Sequence, residues 1–159
     1  MTIDPPALGQ RGEGWVVLQS IVIVAAGACA VSGPRWPHGG ERWLRIAGFV
    51  LEAVGAGIFT LSRITLGRSF TPFPRPRDSS TLRRTGIYAR ARHPVYGGLL
   101  TAGLGLSLHR SPLVLAPTAV LAFVFWLKSI REETWLAERY PDYPAYRRAT
   151  PHRFIPWIV

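Results

Sequence analysis

The chain has 159 residues, 48% of them hydrophobic, with 19 Lys+Arg against 9 Asp+Glu for a formal net charge of +10. That length holds one domain with a sizeable core rather than two, and the hydrophobic share, with a positive mean hydropathy, is that of a small polytopic membrane protein rather than a soluble one. Cys29 is the only cysteine, which excludes an intrachain disulfide and a cysteine-based metal cage.

Residues 15–31 carry no formal charge and, at about 1.5 Å per residue, reach roughly 25 Å, near the lower limit of a membrane span. Ala28-Cys29-Ala30 has the small residues of a signal-peptide cleavage site. However, residues 1–14 set Arg11 against Asp4 and Glu13 and so lack a basic leader. The run is read as a first transmembrane helix. The second run, 44–61, has Arg45 near its start and Glu52 near its middle. A lipid-exposed charge at that depth costs about 2.5 kcal/mol or more, so Glu52 is expected to face protein or water as a paired structural carboxyl, with a secondary claim to a site role.

Between the second and third runs lie eight arginines (63, 68, 75, 77, 83, 84, 90 and 92) against Asp78 alone, a concentration that marks a cytoplasmic loop. Pro72, Pro74 and Pro76 keep the loop extended, and it forms neither a basic helix nor a known recognition motif, which argues against nucleic acid as a partner.

The third run, 96–108, is short and rich in small residues, with Gly98, Thr101, Ala102, Gly103 and Gly105 available for close helix contact. The fourth, 112–127, follows the polar turn His109-Arg110-Ser111, and Pro112 suits a first helical turn. The two are expected to form a tight helical hairpin, with Pro117 a candidate kink. Residues 128–140 keep helical spacing, with Ile130, Trp135, Leu136 and Tyr140 apolar and Arg131, Glu132, Glu133 and Glu138 charged, so the fourth helix should run on into the headgroup region until Pro141. The tail alternates Pro, Tyr and Arg and closes on FIPWI, whose aromatic residues suit a membrane interface.

The predicted fold is therefore one all-α integral membrane domain over 1–159, with about four spans. It divides into two N-terminal spans in 1–62, a basic cytoplasmic loop in 63–95, the hairpin in 96–127 and a cytoplasmic tail in 128–159. Four crossings place both termini and the arginine loop on the cytoplasmic side, as in a bacterial inner membrane, with the 32–43 and 109–111 connections outward.

Four blocks stand in order along the second half: LGRSFTP, LRRTGIYARARHPVYGG, EETWLAERY and YPAYRRATPHRFIP. Taken together they resemble the isoprenylcysteine carboxyl methyltransferase family and the related small phospholipid methyltransferases. The resemblance implies an enzyme that uses S-adenosylmethionine to methylate a lipophilic acceptor entering from the bilayer, either an isoprenylcysteine-like carboxylate or a lipid headgroup. It assigns cofactor contacts to Arg92, His93, Pro94, Tyr96 and Gly97 in the second block, and to Glu133, Tyr143, Tyr146 and Arg153 in the last two. Glu133, Arg92 and Arg153 are also the residues it assigns to the reaction. The chain departs from the family at Tyr140-Pro141, where a Phe-Gly pair is usual.

The residue chemistry matches that implication. A cofactor bearing an adenine ring, ribose hydroxyls, a carboxylate, an ammonium and a sulfonium needs an aromatic slot, a cation and a carboxylate. Arg92 or Arg153 suits the carboxylate, Glu133 the ammonium or ribose, and Tyr96 or Tyr143 the adenine. No Ser-His-Asp set or metal quartet is evident. Plainer roles compete for several residues. His93 before Pro94 suits a turn at a helix start, Glu132 suits a solvated partner of Lys128 or Arg131, and Tyr140, Tyr143 and Trp157 suit interfacial anchors. His38, His109 and His152 lack ligand spacing and read as loop residues. Two rival functions stand beside the methyltransferase: an NADPH-dependent membrane reductase of the sterol reductase type, and a non-enzymatic module whose arginine loop holds anionic lipid or a partner subunit.

Overall fold

The computed structural model describes residues 4–37 and 41–156, and for Glu41 the backbone alone. His38 and Trp157 lie outside the described residues. Five α-helices follow one another: α1 (Glu13–Ser32), α2 (Glu41–Leu66), α3 (Pro94–His109), α4 (Leu115–Arg139) and α5 (Tyr143–Ala149). Single 3-10 turns at Gly67–Ser69, Gly86–Ala89 and Pro112–Val114 punctuate the connections. The described residues contain no strand.

Among the described residues, three helices are long and apolar enough to cross a membrane, in Glu13–Ser32, Arg42–Ser69 and Pro112–Arg139. Their outward faces are apolar: Val24 is 71% exposed, Ile64 70% and Phe123 64%, which is the pattern of side chains that meet lipid rather than a core. The chain is an integral membrane protein. At 16 residues α3 is the short one, and it spends its surface on protein instead.

The small residues of α3 serve a different neighbour from the one expected. They pack α3 against α2 rather than chiefly against α4, while α4 packs mainly on α1. The register is antiparallel and glycine-paired: Gly55 opposes Gly98 and Gly48 opposes Gly105, so closely that a Cβ on Gly55 would lie 2.6 Å from the Gly98 carbonyl oxygen and one on Gly105 2.6 Å from that of Gly48. Backbones approach this closely only where side chains are absent. Of the glycines in α3, Gly103 alone faces α4, at Thr118. The glycine pairs lock the start of α3 onto the middle of α2 and its end onto the early turns of α2.

Pro117 does not kink α4, because it falls in the first turn, where a missing N–H breaks no helical bond. The Ser111 hydroxyl accepts from the Leu113 amide at 3.2 Å and starts the turn at Pro112. Glu52 is paired, as expected for a carboxylate in that run, and its partner is His109 at 3.0 Å. His109 is thus the last residue of α3, its ring 3.8 Å from that of Phe49, and not a loop residue.

At one end of the bundle, three stretches far apart in sequence meet. Arg131 Nη1 reaches Asp4 at 3.2 Å, Arg75 Nη1 donates to the Gln10 carbonyl at 3.0 Å, and the Arg11 guanidinium lies 4.3 Å from the Phe73 ring centroid. Gly12, in the left-handed region at φ 81°, lets the chain turn into α1 against Pro74, where a Cβ would come within 2.3 Å. The proline-rich loop is therefore clamped against the N-terminal segment and the end of α4. The last sequence block is laced to the second by backbone pairing: the Arg92 amide donates to the His152 carbonyl at 3.0 Å and the His93 amide to the Arg153 carbonyl at 2.7 Å.

Candidate functional site

The cluster forms because α3 starts at Pro94, which leaves Arg92 and His93 in the extended stretch just before it, facing the inner side of α4. Glu133 is 4% exposed and is surrounded by cations. Its Oε1 accepts from Arg92 Nε at 2.9 Å and from His93 Nε2 at 3.2 Å, with Arg153 Nε at 3.6 Å, while Oε2 lies 3.5 Å from Arg147 Nε. Arg92, also buried, donates from Nη1 to the carbonyls of Thr150 and Pro151, both at 2.7 Å. A buried carboxylate of this kind is tolerable only because its hydrogen bonds and counter-charges replace water.

Glu132 sits in front of this core and is not the solvated neighbour of Lys128 and Arg131 that its helical spacing suggested. It accepts from the Tyr96 hydroxyl at 2.7 Å, and its Oε2 lies 3.6 Å from His93 Nδ1. His93 therefore bridges two adjacent glutamates, and its ring stacks on Tyr96 at 5.6 Å, which stacks in turn on Phe125 at 4.4 Å. Lys128, read as a surface cation, is 1% exposed. Its Nζ donates to Gln19 Oε1 on α1 and to the Pro72 carbonyl at 2.9 Å, and it lies 5.2 Å from the Tyr96 ring centroid. One buried amine thus ties α1, α4 and the proline-rich loop together.

In front of Glu132 is a pocket that opens to the outside. Arg92, His93, Tyr96, Tyr143 and Tyr146 line it, as does Glu132. Pro94 and Gly97 stand behind the wall as scaffold. Gly97 takes the tail so closely that a Cβ would lie 2.3 Å from the Phe154 carbonyl oxygen. Glu133 and Arg153 also lie behind; Glu133 opens instead onto a separate recess with Arg147 and Arg148. The Arg153 guanidinium is stacked 4.4 Å from the Trp126 ring centroid, with its Nη1 buried and unpartnered.

Sequence reasoning missed the loop's share of the wall. Phe70, Ser80, Thr81, Arg83 and Tyr88 all face the pocket, and Tyr140 closes the rim by donating to the Ser80 carbonyl at 2.8 Å. The available signal was adjacency to the LRRTGIY block; the proline-rich composition disclosed an extended path but not what the path covers. Tyr140 and Tyr143 are also not interfacial anchors, since Tyr143 is 2% exposed. Burial pushes the Tyr143 hydroxyl well above the ordinary tyrosine range, reinforced by the Glu133 and Glu132 charges. Tyr88 is raised for the same first reason, and burial pushes Tyr146 up to about 12 against the opposing pull of Arg92. Burial lowers Arg153, partly offset by Glu133. The Tyr146 hydroxyl donates to the Tyr88 carbonyl at 2.7 Å, whereas the Tyr143 hydroxyl oxygen is buried without a hydrogen-bond partner among the described residues.

A family model described as phospholipid methyltransferase matches residues 43–143, more than half of the chain. The chain belongs to the phospholipid methyltransferase family. The match runs from the start of α2 through the arginine loop, α3 and α4 to the first residue of α5, and so includes most of the pocket wall. Among relatives, the cobalt-zinc-cadmium resistance protein CzcN of Cupriavidus metallidurans is 31% identical over 101 residues, covering 62% of this chain and 47% of that protein. A protein of Oryza sativa subsp. indica named "Probable protein-S-isoprenylcysteine O-methyltransferase" is 29% identical over 129 residues, covering 77% of this chain and 67% of its own length. The protein-S-isoprenylcysteine O-methyltransferase of Xenopus laevis is 26% identical over 114 residues, 69% of this chain and 40% of that one. The resemblance to isoprenylcysteine and phospholipid methyltransferases carried by the four sequence blocks is thereby borne out. The chain spans about half the length of the Cupriavidus relative.

Proposed function

We propose that the protein is an S-adenosylmethionine-dependent methyltransferase acting on a lipophilic acceptor at the membrane face where the arginine loop, the N-terminal segment and the tail meet. The observation that carries this reading is the Tyr143 hydroxyl, buried and without a partner among the described residues, in a residue that lines a pocket also offering two guanidinium groups, a carboxylate and several aromatic rings. A buried polar group without a partner calls for an explanation, and a polar ligand in the pocket supplies one. The donor set fits the cofactor: Arg83 suits its carboxylate, Glu132 its ammonium, and Phe70, Tyr88 and Tyr96 its ring. When bound, the cofactor supplies an electrophilic methyl group on a positively charged sulfur.

The other site residues act through these. Glu133 holds Arg92, His93 and Arg153 in place, and Arg92 spends its bonds on the tail, so we assign both to positioning and leave the forward contacts to Glu132, Tyr143 and Tyr146. Lys128 pins the loop that roofs the pocket and keeps water from it. An acceptor carboxylate is ionised at neutral pH and asks no general base of the chain. The relatives' names favour an isoprenylcysteine-like carboxylate, and the family description a phospholipid. We read α3 as the third of four crossings of one domain, with both termini cytoplasmic in a bacterial inner membrane; the contacts of Asp4 with Arg131 and of Gln10 with Arg75 support a common side for the N-terminus, loop and tail.

The test is thermal unfolding of the purified protein. S-adenosylhomocysteine at about 100 times its dissociation constant should add roughly 2.7 kcal/mol of stability, and NADPH should add none. A shift with NADPH and none with S-adenosylhomocysteine would sink the proposal in favour of a reductase; no shift with either would leave a non-enzymatic module.

A further inference from the structure

A second concave, charged feature lies at the opposite end of α3 from the pocket. Arg35 and Trp36 from the α1–α2 connection, Arg45 from the start of α2, and Leu108, His109 and Arg110 from the end of α3 line a small open recess. Among the described residues no carboxylate lines it; Glu52, further along α2, is held by His109. Trp36 fixes the connection to α3 by donating from Nε1 to the Ser107 carbonyl at 2.9 Å. Three segments therefore bring three exposed arginines to one recess, a positive surface that favours an anion.

The surroundings are those of a membrane interface. Trp43, 74% exposed, stands beside Arg45, and Ile46, Phe49 and Val50 continue down the same helix 46%, 53% and 56% exposed. The recess adjoins this apolar surface through His109, which lines it and whose ring lies 3.8 Å from that of Phe49. Basic residues are disfavoured on the outward side of a membrane, yet this end carries Arg35 and Arg110 in its connections and Arg42 and Arg45 in the first turns of α2.

We propose that this recess binds the phosphate of an anionic membrane lipid, with Arg35, Arg45 and Arg110 around the headgroup and an acyl chain along Ile46, Phe49 and Val50. Guanidinium forks match phosphate oxygens bidentately, and basic pockets between membrane helices are known to hold such headgroups. The apolar strip favours a lipid over a free anion, because a free phosphate would leave it unused. The site is independent of the proposed methyl transfer.

The experiment compares thermal unfolding of the full chain in neutral detergent with added dioleoylphosphatidylglycerol, dioleoylphosphatidylcholine or inorganic phosphate at equal concentration. Phosphatidylglycerol should raise the melting temperature and phosphatidylcholine should not, with inorganic phosphate giving less than half the rise. Arg45→Gln with Arg110→Gln should lose at least half of the phosphatidylglycerol shift, Arg45→Lys with Arg110→Lys should keep most of it, and Arg68→Gln with Arg77→Gln, the same charge change in the arginine loop, should keep all of it. Arg35→Gln, outside any helix, gives a second reading should the double variant fold poorly. Equal shifts in the wild type and in Arg45→Gln with Arg110→Gln or Arg35→Gln would overturn the site, and equal protection by phosphate and phosphatidylglycerol would overturn the lipid assignment.

Discussion

Glu133 and Tyr143 are both buried on the inner side of the site, yet losing their polar groups should have opposite effects. Glu133→Gln removes the counter-charge of Arg92 and Arg153 and leaves those cations buried, which costs about 3–5 kcal/mol in a desolvated cluster. The expected result is a lower melting temperature with or without ligand. Tyr143→Phe removes a hydroxyl that has no partner among the described residues, so stability should hold or rise slightly, while affinity for S-adenosylhomocysteine falls about two- to thirteenfold for one lost hydrogen bond of about 0.5–1.5 kcal/mol. Calorimetric titration of both variants separates them; an unchanged affinity in Tyr143→Phe would remove this residue from the ligand contacts. The types and order of these residues were legible in the sequence. Which of two adjacent glutamates faces the pocket was not, because neighbours on a helix differ by about 100° in direction and the apolar pattern around 132–133 is too broad to choose.

Among the elements, the α2–α3 pair depends on glycines that are not interchangeable. A Cβ at Gly55 would lie 2.6 Å from the Ala102 amide nitrogen, whereas one at Gly57, two residues on, meets nothing within 4 Å. Gly55→Ala should therefore destabilise by about 1–3 kcal/mol through overpacking, and Gly57→Ala should stabilise by about 0.5–1 kcal/mol through helix propensity. Melting temperatures in one detergent would show the sign reversal; equal effects would mean the helices do not meet on this face. The helices themselves were readable from their apolar runs, α2 and α3 to within a few residues at each end. The partner of the small-residue face was not, since small residues permit close approach without naming the neighbour, and the short 110–114 connection drew attention to α4.

For the molecule as a whole, burial of tyrosines from the loop and the tail links the site's integrity to alkaline pH. Tyr88 and Tyr143 are raised above the ordinary range and Tyr146 to about 12. The folded state holds these protons more tightly than the unfolded chain, whose tyrosines titrate near about 10. Their stabilising contribution is therefore complete below about 10 and is lost as pH rises through the folded values. Melting temperature should fall between pH 10 and about 12, and tyrosinate absorbance of these residues should appear with unfolding rather than before it. Gradual titration in the folded protein would mean that the loop does not cover the pocket.

By itself the sequence determined the class of the protein: apolar runs of spanning length, a concentration of arginines between them, and four ordered blocks that identify the family. These are local or additive properties, readable wherever they occur along the chain. Only the tertiary structure decided that the proline-rich loop is a wall of the pocket, that Lys128 and Glu133 are buried, that Glu132 faces forward, and that the arginines at the far end converge on one recess. Each of those depends on what lies across space from a residue, and pairings between residues 92 and 152, 72 and 128, or 45 and 110 leave no periodic trace in a single chain.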